Sequence, residues 1–408
     1  MSVETATSGK VCAAPALQGG GALQGVSVAL ILGGAAASLA ALAGEETRHR
    51  FAFAWLWGFA FLWTIVLGSL FFVSIQHITR SVWSVVLRRV AEMYVAPAWL
   101  VGLAFVPVAL LVLFHGHFGL YPWADPAIVK ADHLLEAKKM YLDGRFFTVR
   151  AAIFLVIWIA FATFFVRQSL AQDAGGDREA GAGRMRTASA PFLILFGLSV
   201  TFASFDWLMS LDPRWFSTIY GVYIFAGMAL SGLAAITLTV VWLRSKGHMG
   251  DVVTPDHLYS LGGFMWAFTC FWTYIAFSQF MLIWCGNLPE ETVFFIERTE
   301  HNWLGVSLLL IALRFVLPFL LLLSRTAKMN PGRLALVSVL ILAGQLVDLY
   351  WLIMPNAHGE GPRLGWQELG PPALLTGLLV LTVARFLSRH RILPAGDPLY
   401  DKSRAFHL

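Results

Sequence analysis

The sequence predicts an all-α polytopic membrane protein with about ten transmembrane helices. Hydrophobic residues occupy 58% of its 408 positions and charged residues only 13%, and it contains 16 Trp and 32 Phe. This composition lies far from that of soluble globular domains. The apolar residues form long runs separated by short polar loops, and a bilayer core requires about 20 apolar residues per helix. Together these observations indicate repeated membrane crossings.

Ten apolar runs are long enough to be candidate spans. They cover residues 24–43, 52–76, 94–114, 151–167, 190–211, 216–242, 258–285, 303–323, 333–354 and 371–388. The tenth run begins with two prolines, which suit the first turn of a helix. The expected order of regions is therefore an N-terminal tail (1–23), spans one to four (24–167), a linker (168–189), spans five to ten (190–388) and a C-terminal tail (389–408).

Basic residues are concentrated in the loops on one side of the predicted spans. They recur after spans two, four, six, eight and ten, whereas the loops on the other side hold far fewer, and one of them, NLPEETVFFIERTEHNW, is rich in glutamate. The positive-inside rule then places both termini in the cytoplasm. This asymmetry explains the net charge of +5, so we expect membrane lipid and no nucleic acid as a partner.

Two cytoplasmic connections have distinctive patterns. Residues 77–93 place apolar side chains on one helical face and Arg88, Arg89 and Glu92 on another, as in a helix that lies in the membrane interface. Residues 168–189 are rich in Gly, Ala and charge. That composition predicts a flexible linker between the two groups of spans.

The outer loop 115–150 is long enough to carry structure of its own. Asp125 as N-cap and Pro126 at the first helical position predict an amphipathic helix there. Its apolar residues are Ile128, Leu134, Leu135 and Tyr141. This helix either docks on another subunit or folds onto its own bundle.

The residue pattern offers no ligand set for a metal or haem. The cysteines Cys12, Cys270 and Cys285 show no CxxC or CxxCH spacing, so iron–sulfur, c-type haem and zinc motifs are not indicated. A haem b in the membrane needs histidines on facing helices, but the histidines fall in loops, tails or, for His77, at a helix end. We expect no metal site and no cofactor bound covalently or by metal ligation. What remains is a scaffold that binds an apolar redox partner, conducts protons, or does both.

A small set of polar residues lies within the predicted spans, where each ionisable group costs about 2.5 to 3.5 kcal/mol to insert. Asp206 lies near the outer end of span five, Arg314 near the middle of span eight and Asp348 near the outer end of span nine. The other members are Gln279, Gln345, Tyr220, Tyr223 and, at the end of span two, His77. Each charge requires a partner, a cavity or a function.

Pro318 adds a backbone feature at the depth of Arg314. A proline four residues later cannot donate to the Arg314 carbonyl, so a free acceptor and a charge lie close together. Arg314 either forms a structural salt bridge with Asp206 or Asp348 or belongs to a polar pathway. For the glutamines and tyrosines of the set, interhelical hydrogen bonds and aromatic packing are the alternatives to such a pathway.

Three stretches carry a resemblance to a known family. They are TFASFDWLMSLDPRWFSTIYGVY (201–223), LEAKKMYLDGRFF (135–147) and FTCFWTYIAFSQFMLIWCGNLPEETVFFIERT (268–299). From about residue 24 to 390, the chain resembles the NrfD-like (polysulfide reductase membrane subunit-like) integral membrane proteins. It is most similar to the second such subunit of alternative complex III, a quinol:cytochrome c oxidoreductase. One departure is Asp143, where the family pattern has Asn.

The resemblance implies two antiparallel four-helix bundles plus two peripheral helices in a bacterial inner membrane. It implies quinone or quinol as a ligand, and as partners a sister NrfD-like subunit, a periplasmic iron–sulfur subunit and c-type cytochrome subunits. Those partners would carry the iron–sulfur clusters and haems. The positions that match the family pattern are Asp206, Asp212, Arg214, Trp215, Gln279, Glu290 and Glu291.

The first of three hypotheses is a proton path that supports quinol oxidation. It joins Asp206, Arg314 and Asp348, because carboxylates at partial depth can exchange protons near neutral pH. Gln279, Gln345, Tyr220, Tyr223 and His77 would lie along the path, and Asp212, Arg214, Glu290 and Glu291 would form its outer opening.

Two further hypotheses assign the same residues differently. One is a quinol site near the outer face, with Asp206 as the base and Trp207 and Tyr220 beside the ring. The other is a non-catalytic anchor for periplasmic iron–sulfur and haem subunits, in which the charges only pair. A transporter is disfavoured, because the spans lack the broken half-helices typical of a midplane substrate site.

Overall fold

The computed structural model describes residues 21–114 and 119–408, and every regular element within these ranges is helical. Ten of the described helices are long and apolar enough to cross a membrane. We label them α1 (Leu23–Ala43), α2 (Thr47–Ile78), α3 (Val85–Leu113), α4 (Gly144–Asp173), α5 (Arg178–Leu211), α6 (Tyr220–Ser245), α7 (Pro255–Gly286), α8 (Trp303–Leu321), α9 (Pro331–Asn356) and α10 (Trp366–Arg389). The prediction of an all-α polytopic membrane protein is confirmed. Most of the predicted N-terminal tail, residues 1–20, lies outside the described ranges.

The helices pack as two four-helix bundles with two peripheral helices. Helices α2 to α5 form a ring of contacts that we call the first bundle, and α6 to α9 form the second bundle. Helix α2 packs against α6 and α9 and so joins the bundles, while α1 and α10 pack together against the outside of α2. Ten crossings place the start of α1 and the end of α10 on one side, here called the terminal side, and the other side is called the opposite side.

Burial inside the protein differs strongly between the spanning helices. In the most apolar segment of α2, 89% of residues are buried, compared with 17% in α8. Large apolar side chains such as Phe277 on α7 and Leu308 on α8 point outward and are more than half exposed. An apolar exterior of this kind suits contact with lipid.

The bundles meet where two glycines cross. A Cβ atom on Gly68 of α2 would lie 2.0 Å from the carbonyl oxygen of Met228, and a Cβ on Gly232 of α6 would lie 2.4 Å from the carbonyl carbon of Gly68. Small residues let membrane helices approach this closely. The Gly68–Gly232 crossing therefore sets the spacing between the first and second bundles.

The connection between α4 and α5 is mainly helical, so the prediction of a flexible linker over 168–189 is wrong outside 174–177. Helix α4 continues to Asp173 and α5 begins at Arg178. Asp177 caps α5 by accepting a hydrogen bond from the backbone N–H of Ala180 at 3.0 Å. Gly175 provides the left-handed turn, with φ of +93°.

The prediction of an interfacial helix over 77–93 also needs correction. Its helical part begins α3, and the side chains expected to face solvent are buried: Arg88 is 4% exposed, Arg89 0% and Glu92 1%. The helix packs against α2, α4, α6, α10 and the short helix Tyr400–Arg404. Because the C-terminal residues cover it, this face lies inside the protein.

The described part of the loop between α3 and α4 folds onto its own bundle. Tyr121 donates its hydroxyl hydrogen bond to the Trp207 carbonyl at 2.8 Å, and the Trp123 indole N–H donates to the Ser210 carbonyl at 3.1 Å. The loop contains a 3₁₀ turn and two short helices, Pro122–Ala124, Pro126–Ala131 and His133–Lys138. Leu135 is buried, whereas Ile128, Leu134 and Tyr141 stay exposed.

Aspartates cap three successive helix starts in this region. Asp125 accepts from the N–H of Ala127 at 2.8 Å, which confirms the predicted cap, and Asp132 caps the second short helix. Asp143 accepts from the N–H groups of Arg145 and Phe146, both at 3.0 Å, and starts α4 seven residues before the predicted span. Asn and Asp cap helices equally well, so Asp143 preserves the cap that an Asn would provide.

Candidate functional site

The first bundle contains a buried ion pair between α4 and α5. Arg150 donates to both oxygens of Asp206, from Nε to Oδ2 at 2.7 Å and from Nη2 to Oδ1 at 3.0 Å. Its Nη1 donates to the Tyr141 carbonyl at 3.0 Å. A bidentate arginine is the strongest partner available to a carboxylate that is fully buried. The sequence placed Arg150 one residue before a predicted span, in a loop, and therefore missed this partner.

Trp207 lies in a packed aromatic core beside this ion pair. Its ring centroid is 4.6 Å from that of Phe105 and 5.6 Å from that of Trp158. Asp206 and Trp207 are fully buried, and Tyr220 is 2% exposed. The three residues of the hypothetical quinol site are thus enclosed by protein, and none of them lines the large cavity described below.

The second bundle contains a separate set of buried polar groups, which we call the Arg314 cluster: Arg314, Asp348, Tyr223 and Trp272. Tyr223 donates a hydrogen bond to Asp348, and Nη2 of Arg314 lies 3.5 Å from Oδ2 of Asp348. The guanidinium carbon is 4.6 Å from the centroid of the Trp272 ring, a cation–π distance. All four side chains are at most 5% exposed. Of the two partners considered for Arg314, the structure selects Asp348.

Two glycines and an irregular helical turn make room for Arg314. A Cβ on Gly344 of α9 would lie 2.8 Å from Cδ of Arg314, and a Cβ on Gly227 of α6 would lie 3.0 Å from its Nη2. Residues Ala312–Val316 form a π-helical turn that ends two residues before Pro318. Such turns occur frequently at functional sites. The side chain lies roughly 16 Å along α8 from the opposite side, at 1.5 Å per residue.

Several polar atoms near this cluster have no hydrogen-bond partner among the described residues. They are Nε, Nη1 and Nη2 of Arg314 and the Oε1 atoms of Gln345 and Gln279. Gln345 and Arg314 both approach Gly227. A Cβ atom added to Gly227 would lie 3.0 Å from Nη2 of Arg314 and 3.1 Å from Oε1 of Gln345. Buried polar groups are nearly always paired with protein or ordered water, so this part of the bundle is suited to hydration.

The structure therefore divides the residues of the predicted proton path. It brings Arg314, Asp348, Tyr223 and Gln345 together in the second bundle, with Tyr220 stacked on Tyr223 at 6.4 Å. It places Asp206 in the first bundle with Arg150. His77 lies at the terminal end of α2, where its Nδ1 is 3.0 Å from Nη1 of Arg88.

A cavity of about 540 Å³ borders the Arg314 cluster. It lies between α7, α8, the end of α9 and the short helix Pro289–Glu297, and most of its wall is apolar or aromatic. Tyr223 and Trp272 of the cluster form part of the wall, as does Gln279. The cavity therefore contacts both the Arg314 cluster and, through Phe277 and Ile311, the membrane-facing surface.

Arg298 forms part of the same wall and was not singled out from the sequence. It is 3% exposed and donates to the carbonyls of Phe294, Trp351 and Leu352 at 2.8 to 3.2 Å. Its guanidinium also lies 3.5 Å from the Phe294 ring centroid. Burial lowers the pKa of Arg298 to about 10. The polar, glutamate-rich sequence around Arg298 predicts a solvent-exposed loop. The carbonyls that enclose its guanidinium come from the short helix and from the end of α9, which are far apart in sequence.

The residues expected at an outer opening all lie on the opposite side. Arg214 pairs with Asp132 at 2.9 Å and its side chain is 75% exposed. The hydrogen bond from Arg214 holds the pKa of Asp132 below its usual range. Asp212 caps the turn by accepting from the backbone N–H of Arg214 at 3.1 Å. Glu290 and Glu291 lie in the first turn of a short helix, where negative charge is favourable.

A second charged cluster, also missed from the sequence, lies at the terminal side of the first bundle. Arg88 donates to Asp397 at 2.9 Å, and Arg89 contacts both Asp173 at 2.5 Å and Glu92 at 2.9 Å. Asp397 belongs to the predicted C-terminal tail, which in the structure packs against the start of α3 and buries Asp397 and Ser403. This tail is therefore a structural part of the first bundle.

We expect Asp397→Ala to release the C-terminal segment. The change leaves the buried Arg88 without its carboxylate, which costs about 3 kcal/mol for a buried pair. Limited proteolysis of the full chain in detergent should then cleave after residue 390 much faster than in the wild type. Asp401→Ala, at an exposed position in the same segment, is the matched control, and equal cleavage rates in all three proteins would contradict the assignment.

Comparison of the sequence with known proteins identified no relative of this chain. No protein-family model matches the sequence, and no curated protein matches it significantly. Within the described ranges, no group of three or more His, Cys, Asp or Glu side chains is arranged to hold a metal ion.

Proposed function

We propose that this chain is an NrfD-like integral membrane subunit of a quinol:electron-acceptor oxidoreductase and that its second bundle carries protons for that complex. The Arg314 cluster is the observation that carries the proposal. A guanidinium, a carboxylate and a phenol are buried together inside a bundle of apolar helices. Ionisable groups in membrane interiors are costly and mark ion and proton pathways.

One hydrogen bond and several unpartnered buried atoms support a proton route through the cluster. Asp348 accepts from Tyr223, and Tyr220 extends this line of groups toward the opposite side. The unpartnered atoms of Arg314 and Gln345 provide places for ordered water, which would link the side chains. Toward the terminal side the second bundle buries a further cation, Lys328, which is 9% exposed.

We assign Asp206 a structural role in this proposal. Its two oxygens are both engaged by Arg150, so proton exchange there would break a bidentate pair. Asp348 instead has one ion-pair contact at 3.5 Å and a phenol as second partner. Because Asp348 is engaged less fully than Asp206, we favour proton conduction through the Arg314 cluster over a purely structural ion pair.

The complex named in this proposal is inferred from the resemblance of the sequence motifs to NrfD-like proteins. The motifs favour the ActF subunit of alternative complex III, in a bacterial inner membrane with both termini in the cytoplasm. Electrons would pass from quinol to iron–sulfur clusters and haems on a periplasmic iron–sulfur subunit and c-type cytochrome subunits, beside a sister NrfD-like subunit. The opposite side, with Asp212, Arg214, Glu290 and Glu291, would then be periplasmic.

Purification from native membranes tests this assignment. The chain carrying an affinity tag should be isolated in mild detergent with subunits that show c-type haem absorbance and iron–sulfur signals in electron paramagnetic resonance. The preparation should also reduce cytochrome c, or another acceptor, with a quinol. Isolation of the intact chain without haem, iron–sulfur signal or quinol oxidation would overturn the proposal.

A further inference from the structure

A buried lysine lies close to two aromatic rings at the terminal side of the second bundle. Lys328, in the short helix Arg325–Met329 between α8 and α9, is 9% exposed. Tyr259, Gly262 and Trp266 follow one another at helical spacing along a single face of α7. A Cβ atom on Gly262 would lie 2.9 Å from Cβ of Lys328, so this glycine makes room for the lysine between the two rings.

The ammonium group of Lys328 has no counter-charge among the described residues. It forms no ion pair with a carboxylate there, and its hydrogen bond goes to the Leu323 carbonyl at 3.3 Å. Nζ lies 4.9 Å from the Trp266 ring centroid and 6.0 Å from that of Tyr259, and both rings stabilise the charge only in part. Because an ammonium carries three donors and a buried charge is costly without a partner, this position favours a bound anion.

Two further donors accompany this ammonium group. The indole N–H of Trp266 is buried and has no hydrogen-bond partner among the described residues. Arg325 is exposed, and its guanidinium carbon lies 5.4 Å from the centroid of the Tyr259 ring, which Lys328 also approaches. The site thus combines two positive charges with a neutral N–H donor. A phosphate, with its negative charge and several acceptor oxygens, suits such a group of donors.

The surroundings of these donors favour a lipid as the source of the phosphate. Phe319 on α8 stacks on Trp266 with ring centroids 5.5 Å apart. Leu320 and Leu323, at the end of α8 and just after it, are 60% and 54% exposed. This apolar surface begins at the residue whose carbonyl binds Lys328 and suits contact with an acyl chain. A free phosphate ion would gain nothing from it, whereas basic pockets between membrane helices bind anionic lipid headgroups.

We propose that an anionic phospholipid binds at the terminal side of the second bundle, with its phosphate held by Lys328, Arg325 and the Trp266 N–H and an acyl chain along the end of α8. A headgroup such as phosphatidylglycerol leaves the phosphate charge uncompensated. The quaternary ammonium of phosphatidylcholine would instead bring a third cation to the site. This lipid site does not depend on proton conduction by the second bundle, and it supplies the counter-charge that Lys328 lacks.

Native mass spectrometry of the delipidated full chain in a neutral detergent, titrated with dioleoylphosphatidylglycerol, tests the proposal. We expect saturable binding of this lipid, and a Kd for dioleoylphosphatidylcholine about tenfold higher. Lys328→Met keeps an unbranched side chain but removes the charge, and should raise the Kd for phosphatidylglycerol about tenfold, as expected for a hydrogen bond to a charged group. Trp266→Phe keeps an aromatic ring but removes the N–H donor, and should raise that Kd about threefold, as expected for a neutral hydrogen bond.

Two further variants separate loss of the site from loss of the fold or of general surface charge. Arg325→Gln changes an exposed side chain and leaves the packing on Gly262 intact, and should raise the Kd for phosphatidylglycerol about threefold, since an exposed charge contributes less than a buried one. Arg389→Gln is the matched control, because Arg389 is an exposed arginine at the terminal end of α10. It should leave the Kd unchanged.

The deacylated headgroup sn-glycero-3-phosphoglycerol distinguishes a lipid site from a site for soluble phosphates. It carries the same phosphodiester without acyl chains, and we expect no displacement of phosphatidylglycerol by an equal concentration of it. Displacement under those conditions, equal Kd values for phosphatidylglycerol and phosphatidylcholine, or an unchanged Kd in Lys328→Met, Arg325→Gln and Trp266→Phe would each overturn the proposal.

Discussion

Replacing Asp348 by leucine should lower the free energy of unfolding by about 3 to 5 kcal/mol. The change leaves the fully buried guanidinium of Arg314 without its carboxylate, and an uncompensated buried charge costs about that much. The double variant Arg314→Met/Asp348→Leu should recover most of the loss, because it removes both charges. Reversible unfolding of the full chain in mixed micelles, titrated with sodium dodecyl sulfate, measures both values.

An exposed ion pair provides the control for this comparison. Glu360 and Arg363 pair at 2.7 Å, but their side chains are 86% and 56% exposed. Pairs of this kind contribute little to stability, so Glu360→Ala should unfold like the wild type. If Asp348→Leu were as stable as Glu360→Ala, Arg314 would not depend on Asp348 and the Arg314 cluster would lose its basis.

Gly68→Ala and Gly232→Ala should each destabilise the protein by about 3 kcal/mol, at the upper end of the cost of overpacking. The added methyl groups would lie 2.0 and 2.4 Å from backbone atoms of the facing helix. Backbone atoms cannot rotate away, so α2 and α6 must separate. The same unfolding titration measures the loss, and variants at this crossing should also lose contacts between the two bundles.

Gly197 on α5 and Gly263 on α7 are matched controls for the glycine variants. A Cβ at either position would meet no atom within 4 Å. Alanine there should leave stability unchanged or raise it by up to about 1 kcal/mol, the difference in helix propensity. Equal effects at Gly68 and Gly197 would show that the close crossing does not hold the bundles together.

The spans could be predicted from sequence because long apolar runs report membrane helices directly, but their ends could not. Span four was expected at 151–167, whereas α4 runs from Gly144 to Asp173. The run looked short because Arg150 interrupts it. That charge is neutralised by Asp206, 56 residues further along, and a window of local hydropathy does not contain this partner.

The prediction of a solvent-facing charged face in residues 77–93 is wrong for a similar physical reason. An amphipathic pattern shows that two faces differ but not what covers each face. Here Arg88 is covered by Asp397, 309 residues away in sequence. The Gly- and Ala-rich composition of 168–189 predicts flexibility, whereas in the structure both flanking helices run through this segment to the turn at 174–177.

The candidate site was partly predictable. The depth of Arg314 and Asp348 followed from counting residues along each span, and the short list of possible partners contained the observed one. The choice between Asp206 and Asp348 required the packing of α6, α8 and α9, which no local pattern reports. The cavity could not be predicted, because three helices and a short loop helix from separate parts of the chain enclose it.

The decisive measurement is the number of protons translocated per electron by the whole complex in liposomes, with Asp348→Asn and Asp206→Asn compared with the wild type. Asn at 348 retains a hydrogen-bond partner for Tyr223 but removes the exchangeable proton. We expect Asp348→Asn to lower the proton-to-electron ratio while quinol oxidation continues, and Asp206→Asn to leave the ratio unchanged in the complexes that assemble. An unchanged ratio in Asp348→Asn would contradict a proton route through the second bundle.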